Sequence, residues 1–335
     1  MKNKNLNFLW VLFLGLIAFN SCSKDTTTAL VGNWKTLGDF GGEARYGAST
    51  FTIGDTAYIF GGSGSIKSYF NDLWKYDLKS GSWTKVICTG TLPTPRKYSV
   101  AFSLNNNKGY VGTGYDEDGK VLNDFYEFDP TTSNWSKKAD FIGNGRYYAI
   151  GFGIKEYGYI GLGYNVVPSP QNDFYKYDPS SDSWAQIPDF SRKIAQANVF
   201  VIDDIAYVGG GLSSGEPVLK LFKFNPANSN AWTELTDLST NVARYSATAF
   251  SINKKGYFAL GKSTSSSFIN TVYEYDPSND SWTQKTSFSK NSRVDAVGIS
   301  VGGKGIIATG TDGNYPLVNY FEFFPDAANV TTDDN

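Results

Sequence analysis

Five arginines occupy one recurring register of this 335-residue chain. Arg45, Arg96, Arg146, Arg244 and Arg293 each stand six residues before an aligned apolar position: Phe51, Phe102, Phe152, Phe250 and Ile299. A fourth copy of the same stretch, aligned on Phe200, carries Ile194 there, with Arg192 displaced by two residues. A guanidinium is a planar fork of donors that matches carboxylate or phosphate, so several converging on one opening would hold an anion. The competing role is structural, with the stem covering apolar surface and the head bonding loop carbonyls. Two positions after the arginine register stand Gly47, Tyr98, Tyr148, Gln196, Ser246 and Asp295. A repeating scaffold does not demand such variety. Tyrosines, an amide and one acid around a depression suit a sugar or an extended peptide. Asp295 is the one group among them with the chemistry of a general acid or base.

Other chemistries are excluded by composition. The chain has no histidine, which removes Ser-His triads and histidine metal sites. Asp116 and Asp118, in the run Tyr115 to Gly119, resemble a fragment of a calcium loop, but so short a match reads as a solvated turn. No metal or cofactor is expected. The formal net charge is −2, without the basic surface that nucleic acid requires.

The elements that position these residues are written as a repeat. The phrase NDFYKYDPSSDSW at 172–184 returns as NDLWKYDLKSGSW at 71–83, NDFYEFDPTTSNW at 123–135 and NTVYEYDPSNDSW at 270–282, with a blurred copy at 220–232. Trp34, Trp83, Trp135, Trp184, Trp232 and Trp282 are spaced by 49, 52, 49, 48 and 50 residues. Each interval also holds a glycine-ended strand such as AYIFGG at 57 or GYFALG at 256. A period of about 50 is that of kelch repeats, and residues 34–324 resemble the kelch family, although its double glycine survives only at Gly61-Gly62 and Gly209 to Gly211, and Ile306 replaces a tyrosine in the last unit. The resemblance implies an all-β, six-bladed propeller with four antiparallel strands per blade. Each unit offers four strand candidates, typified by RYSATAFSI, GYFALG, TVYEYD and SWTQK. In the YDP turn the aspartate accepts backbone N–H bonds and the proline pre-sets φ.

Trp34 has no strands before it, and the last phrase, NYFEFFPDAAN, never reaches a tryptophan. The strand around Trp34 is therefore expected to complete the sixth blade and leave no open edge. Alternating connections place the arginines, the terminal glycines and the Asn-Asp pairs on one face of the disc. In kelch proteins that bind ligands these loops supply the contacts, which makes Arg45, Arg96, Arg146, Arg244, Arg293, Tyr98, Tyr148, Gln196 and Asp295 the candidate ligand-binding residues. Galactose oxidase shares the repeat, but its copper site uses histidines, which are absent here.

The first 22 residues stand apart. Lys2 and Lys4 precede the apolar run Phe8 to Phe19, followed by Asn-Ser-Cys. Twelve apolar residues are too few to span a bilayer but suit a signal-peptide core. The cysteine after that core resembles a bacterial lipobox, with Phe19 in place of the usual leucine, and implies cleavage before Cys22 and lipidation of its sulfur. Acylation of Cys22 leaves Cys88 unpaired. The expected organisation is a signal peptide over 1–21, a lipidated tether over 22–30, the propeller over 31–326 and a tail over 327–335. The function expected is a monomeric, non-catalytic binding module of the bacterial outer membrane, held by its lipid anchor alone, taking a glycan, peptide or protein on the arginine face. The alternative is a metal-free sugar-acid mutarotase resembling kelch-type N-acetylneuraminate epimerases, with Asp295 as its acid-base group.

Overall fold

The computed structural model describes residues 29–65, 68–228 and 231–330. The signal-peptide and lipidation expectations, Cys22 among them, lie outside the described residues. Those residues form a six-bladed β-propeller whose blades are four-stranded antiparallel sheets, one of them extended by the short parallel strand Thr89–Gly90. Blade one runs outward from the axis as Ser49–Ile53, Thr56–Phe60, Leu73–Asp77 and Ser82–Val86. Blades two to five repeat this order, with inner strands Val100–Leu104, Ile150–Ile154, Asn198–Ile202 and Thr248–Ile252.

Blade six is assembled from both ends of the chain. Val297–Val301, Lys304–Ala308 and Asn319–Phe324 supply three strands, and Asn33–Asp39 pairs antiparallel with the third, Trp34 opposite Phe323. The expected closure is present. Trp34 is 1% exposed and packs edge-on to Phe288 at 5.1 Å and against Phe323 at 4.5 Å. Leu30 and Val330 are held at this seam. Thr286 Oγ1 donates to Leu30 O, and Val330 N donates to Asn33 Oδ1.

The seams between blades hold the core. Trp184 of blade three, for example, meets Phe125 of blade two at 5.0 Å and Phe141 of the connecting loop at 5.2 Å, burying the aromatic area that dominates such packing. The aspartate turns form as the residue chemistry dictates, with or without the proline: Asp77, Asp129, Asp178 and Asp276 each accept the amide two residues on. Inner strands alternate buried and half-buried positions. Small residues let these strands crowd the axis. A Cβ on Gly153 would lie 2.1 Å from Ser103 O in the neighbouring blade.

Candidate functional site: the channel mouth

Only the last five residues of the segment RYSATAFSI pair as a strand, Thr248–Ile252. The four before them turn across the axis, and the same turn occurs in every blade. Gly47, Tyr98, Tyr148, Gln196, Ser246 and Asp295 all have left-handed backbone, with φ from 47° to 63°, an uncommon conformation away from glycine. Hydrogen bonds between blades hold it. Gly47 N donates to Asp295 O at 2.9 Å, Tyr98 N to Gly47 O at 2.7 Å, Tyr148 N to Tyr98 O at 3.3 Å, Gln196 N to Tyr148 O at 3.1 Å and Asp295 N to Ser246 O at 3.1 Å. Five of the six junctions between blades are hooked through this residue. All six line one pocket of about 180 Å³ on the propeller axis, so the register read from the sequence converges.

Within the pocket the side chains are organised on Asp295. The Tyr98 and Tyr148 hydroxyls both donate to its Oδ2, at 3.4 and 3.1 Å, while their rings stack on each other at 3.8 Å. Tyr98 reaches this place because Gly47 has no side chain: a Cβ there would sit 2.6 Å from the Tyr98 ring. Opposite, Ser246 Oγ donates to Gln196 Oε1 at 2.7 Å. Burial pushes the Asp295 carboxyl up to about 6, against the pull of the Tyr148, Ser246 and Tyr98 hydroxyls. Burial, then the Asp295 charge, raises both tyrosines above their ordinary value. At neutral pH the tyrosines are therefore donors and Asp295 is an ionised acceptor.

The sequence reading missed a rim of aromatics one register away. Tyr46, Lys97, Tyr147 and Tyr245 follow the arginines directly, and Tyr164 bridges to Tyr147. Tyr147 lies 5.9 Å from Tyr148 and 5.5 Å from Tyr164. Lys97 Nζ sits 4.8, 5.1 and 5.2 Å from the rings of Tyr46, Tyr69 and Tyr98 and bonds Tyr46 Oη at 3.0 Å. These contacts are cation–π geometry.

The arginines do not join the mouth. All five are at most 1% exposed, and none lines the pocket. In each, Nη1 donates to the carbonyl of the left-handed residue that ends the second strand: Gly61, Thr113, Leu162, Leu260 and Thr309, at 2.9 to 3.2 Å. The same forks take the start of the third strand. Arg45, Arg96 and Arg146 bind Asp72, Asp124 and Asp173 through two bonds each. Arg244 takes Thr271 O and Oγ1 at 2.8 and 3.1 Å, and Arg293 takes Asn319 Oδ1 at 2.9 Å. Burial alone would raise the three aspartates, but the guanidiniums outweigh it and hold all three below the ordinary carboxylate value. The register expected to bind ligand therefore lies away from the pocket, with its donors turned to the loops they tie together and Arg293 Nε left without a partner. In blade four Ile194 is buried among apolar residues, and Arg192 is exposed and makes no clamp. Lys220 stands there where the other blades place the clamp acceptor.

A larger crevice, about 690 Å³, opens between blades three and four and is lined by Tyr157, Tyr159, Ile187, Phe224 and Trp232 among others. Its walls belong to the hydrophobic cluster of that seam, where blade four departs from the repeat with Asn225 in place of the turn aspartate and one more residue between Pro226 and Trp232. Lys155, Glu156, Lys176, Asp189 and Glu234 also line it, whereas the register that varies between blades converges at the mouth. At the Asp116 loop the carboxylate caps Lys120 N at 2.8 Å, and no cluster of three metal-ligating side chains occurs among the described residues.

Comparison with known proteins agrees with the fold. The family model described as the KLHDC2/KLHL20/DRC7 Kelch-repeats domain matches residues 15–147. The chain is 27% identical to the N-acetylneuraminate epimerase of Vibrio cholerae over 135 residues, covering 32% of this chain and 35% of that protein. It is 30% identical to Kelch domain-containing protein 3 of Bos taurus over 93 residues, 28% of this chain and 24% of the relative. With the host cell factor homolog hcf-1 of Caenorhabditis elegans it shares 33% over 93 residues, 28% of this chain and 12% of the relative. The chain thus spans little more than a third of these relatives at most.

Proposed function

We propose that the protein is a non-catalytic binding module that takes its ligand, a glycan, peptide or protein segment, at the tyrosine-lined mouth. The observation that carries this reading is the convergence of the one variable register, Gly47, Tyr98, Tyr148, Gln196, Ser246 and Asp295, on a single axial pocket. The propeller supplies a rigid frame, and its mouth offers aromatic faces beside hydrogen-bonding groups, the composition of a recognition site. The kelch relatives favour an interaction role. We further propose that the mature chain is anchored in the bacterial outer membrane through lipid on Cys22. Cys22→Ala should abolish incorporation of labelled palmitate, and unchanged labelling would refute the anchor.

A mutarotase is the second reading. Its support is the pairing of Asp295 with two tyrosine hydroxyls and the printed name of the Vibrio cholerae relative. Against it stand the buried arginines, which leave no guanidinium at the mouth for a sugar carboxylate. NMR of N-acetylneuraminate anomers with the purified protein decides between the two. The binding reading expects exchange at the buffer rate. Acceleration that Asp295→Asn reduces by roughly 10²–10⁴, the usual worth of a positioned acid or base, would establish the enzyme instead.

A further inference from the structure

The floor of the mouth holds a carboxylate with no cation bonded to it, for Lys262 attracts it only from beyond ion-pair distance. Asp295 forms no ion pair with any lysine or arginine among the described residues. Its partners are neutral hydroxyls, and the Tyr98 and Tyr148 bonds fall on the same oxygen. The clamp aspartates, by contrast, each hold a guanidinium at 2.5 to 2.8 Å. A charge taken out of water without an ion-pair partner is costly, and a scaffold that pairs Asp72, Asp124 and Asp173 leaves this one facing a pocket. Tyr98 and Tyr148 line that pocket among alanines and serines, and aromatic faces attract cations and do nothing for anions. The molecule already shows an ammonium held this way, since Lys97 rests among Tyr46, Tyr69 and Tyr98 at the rim.

We infer that the group recognised at the mouth is a protonated amine, an alkylammonium that enters beside the stacked tyrosines and pairs with Asp295. The inference rests on the mouth being the ligand site and names the chemistry that this site selects. A slender ammonium fits a pocket of about 180 Å³. It would give Asp295 the charge-assisted hydrogen bond that each clamp acid has, while Gln196 and Ser246 remain for a neighbouring amide or hydroxyl. Anionic ligands are disfavoured by the same carboxylate. The ammonium could belong to a lysine side chain, a peptide N-terminus or a free diamine.

The test is calorimetric titration of the full-length protein in detergent, at neutral pH, with matched probes. These are 1,4-diaminobutane, Nα-acetyl-lysine methylamide and a glycyl dipeptide amide, beside butane-1,4-diol and succinate as neutral and anionic counterparts. At least one amine should bind about tenfold or more tightly than the diol, the low end of a hydrogen bond to a charged group. That advantage should vanish in Asp295→Asn, which is checked to melt as a folded protein, and succinate should not bind. The amine that binds identifies the source. Equal binding of amine and diol, an amine advantage that survives Asp295→Asn, or no amine binding overturns the inference. A neutral glycan or peptide that binds independently of Asp295 but is lost in Tyr98→Ala would leave the mouth as the site and retire only the ammonium. Amine binding that is insensitive to both variants and lost in Trp232→Phe would move the site to the blade-three crevice and overturn both readings.

Discussion

Two side chains per blade, two residues apart on one loop, have opposite fates. The arginine turns into the blade, is fully buried, and ties the end of the second strand to the start of the third. The residue two places on turns toward the axis and lines the pocket. The first position is nearly invariant across the blades and the second is different in almost every one. In this repeat protein, sameness between copies marks what each unit needs for its own geometry. Difference marks what only the assembled ring can use. The two classes of carboxylate follow the same division, because the clamp acids are paired and held low while Asp295 is unpaired and held high.

The strongest way to break this comparison is to remove a clamp. Arg146→Ala leaves the Leu162 carbonyl and the Asp173 carboxylate without their donor. Breaking a buried pair on one side costs about 3–5 kcal/mol, so the variant should melt well below the parent in calorimetry. Any ligand it still binds when folded should bind with unchanged affinity. Weakened binding with parental stability would return the arginine to the site.

Asp295→Asn tests the other class through pH. In the folded protein Asp295 titrates near 6, against an ordinary value of 3.8. Between those values the folded state holds a proton that the unfolded chain has released, so stability rises as pH falls through that window and is flat above about pH 7. Roughly two decades at about 1.4 kcal/mol each give an effect of order 3 kcal/mol. The clamp aspartates act with the opposite sign, since their depressed values supply stability above the ordinary carboxylate range that is lost as pH falls below it. The parent should therefore be most stable near pH 4–5. Asp295→Asn should erase the rise between pH 7 and 4 while keeping the acid loss below it. A rise that persists in the variant would assign it to other groups.

Much of this architecture was legible beforehand. The tryptophan period, the glycine-ended strands and the unmatched Trp34 led to six blades closed by Asn33–Asp39, because each is an aromatic or turn residue with a fixed geometric role. The register of Tyr98, Tyr148, Gln196 and Asp295 was legible too, as variation on a constant frame. The arginine partners were harder to see, since Asp72 and Asp173 lie 27 residues beyond Arg45 and Arg146 on a separate loop. One signal was present, for blade four loses both members at once, with Ile194 and Lys220 where the other blades keep arginine and an acceptor. The turn in RYSATAFSI left no mark, because its left-handed residue is usually not glycine, and the conformation is held by a neighbouring blade.

Tyr148→Phe is the gentlest probe of the comparison. It deletes one hydroxyl, 3.1 Å from Asp295 Oδ2, and leaves the ring free to keep its 3.8 Å stack on Tyr98. A net hydrogen bond is worth about 0.5–1.5 kcal/mol, and Tyr98 remains as a donor to the same oxygen, so the melting point should fall by no more than about 2–4 °C. The pH profile should move more clearly. The Tyr148 hydroxyl is one of the groups that pull Asp295 down against burial, and its loss should raise that carboxyl further. The acid-side gain in stability would then begin at a higher pH than in the parent. Chemical denaturation across pH 4.5 to 8 reads both quantities at once. A variant that collapses as Arg146→Ala is expected to do would show that the mouth carries the blades as the clamps do, and the division between frame and site would fail.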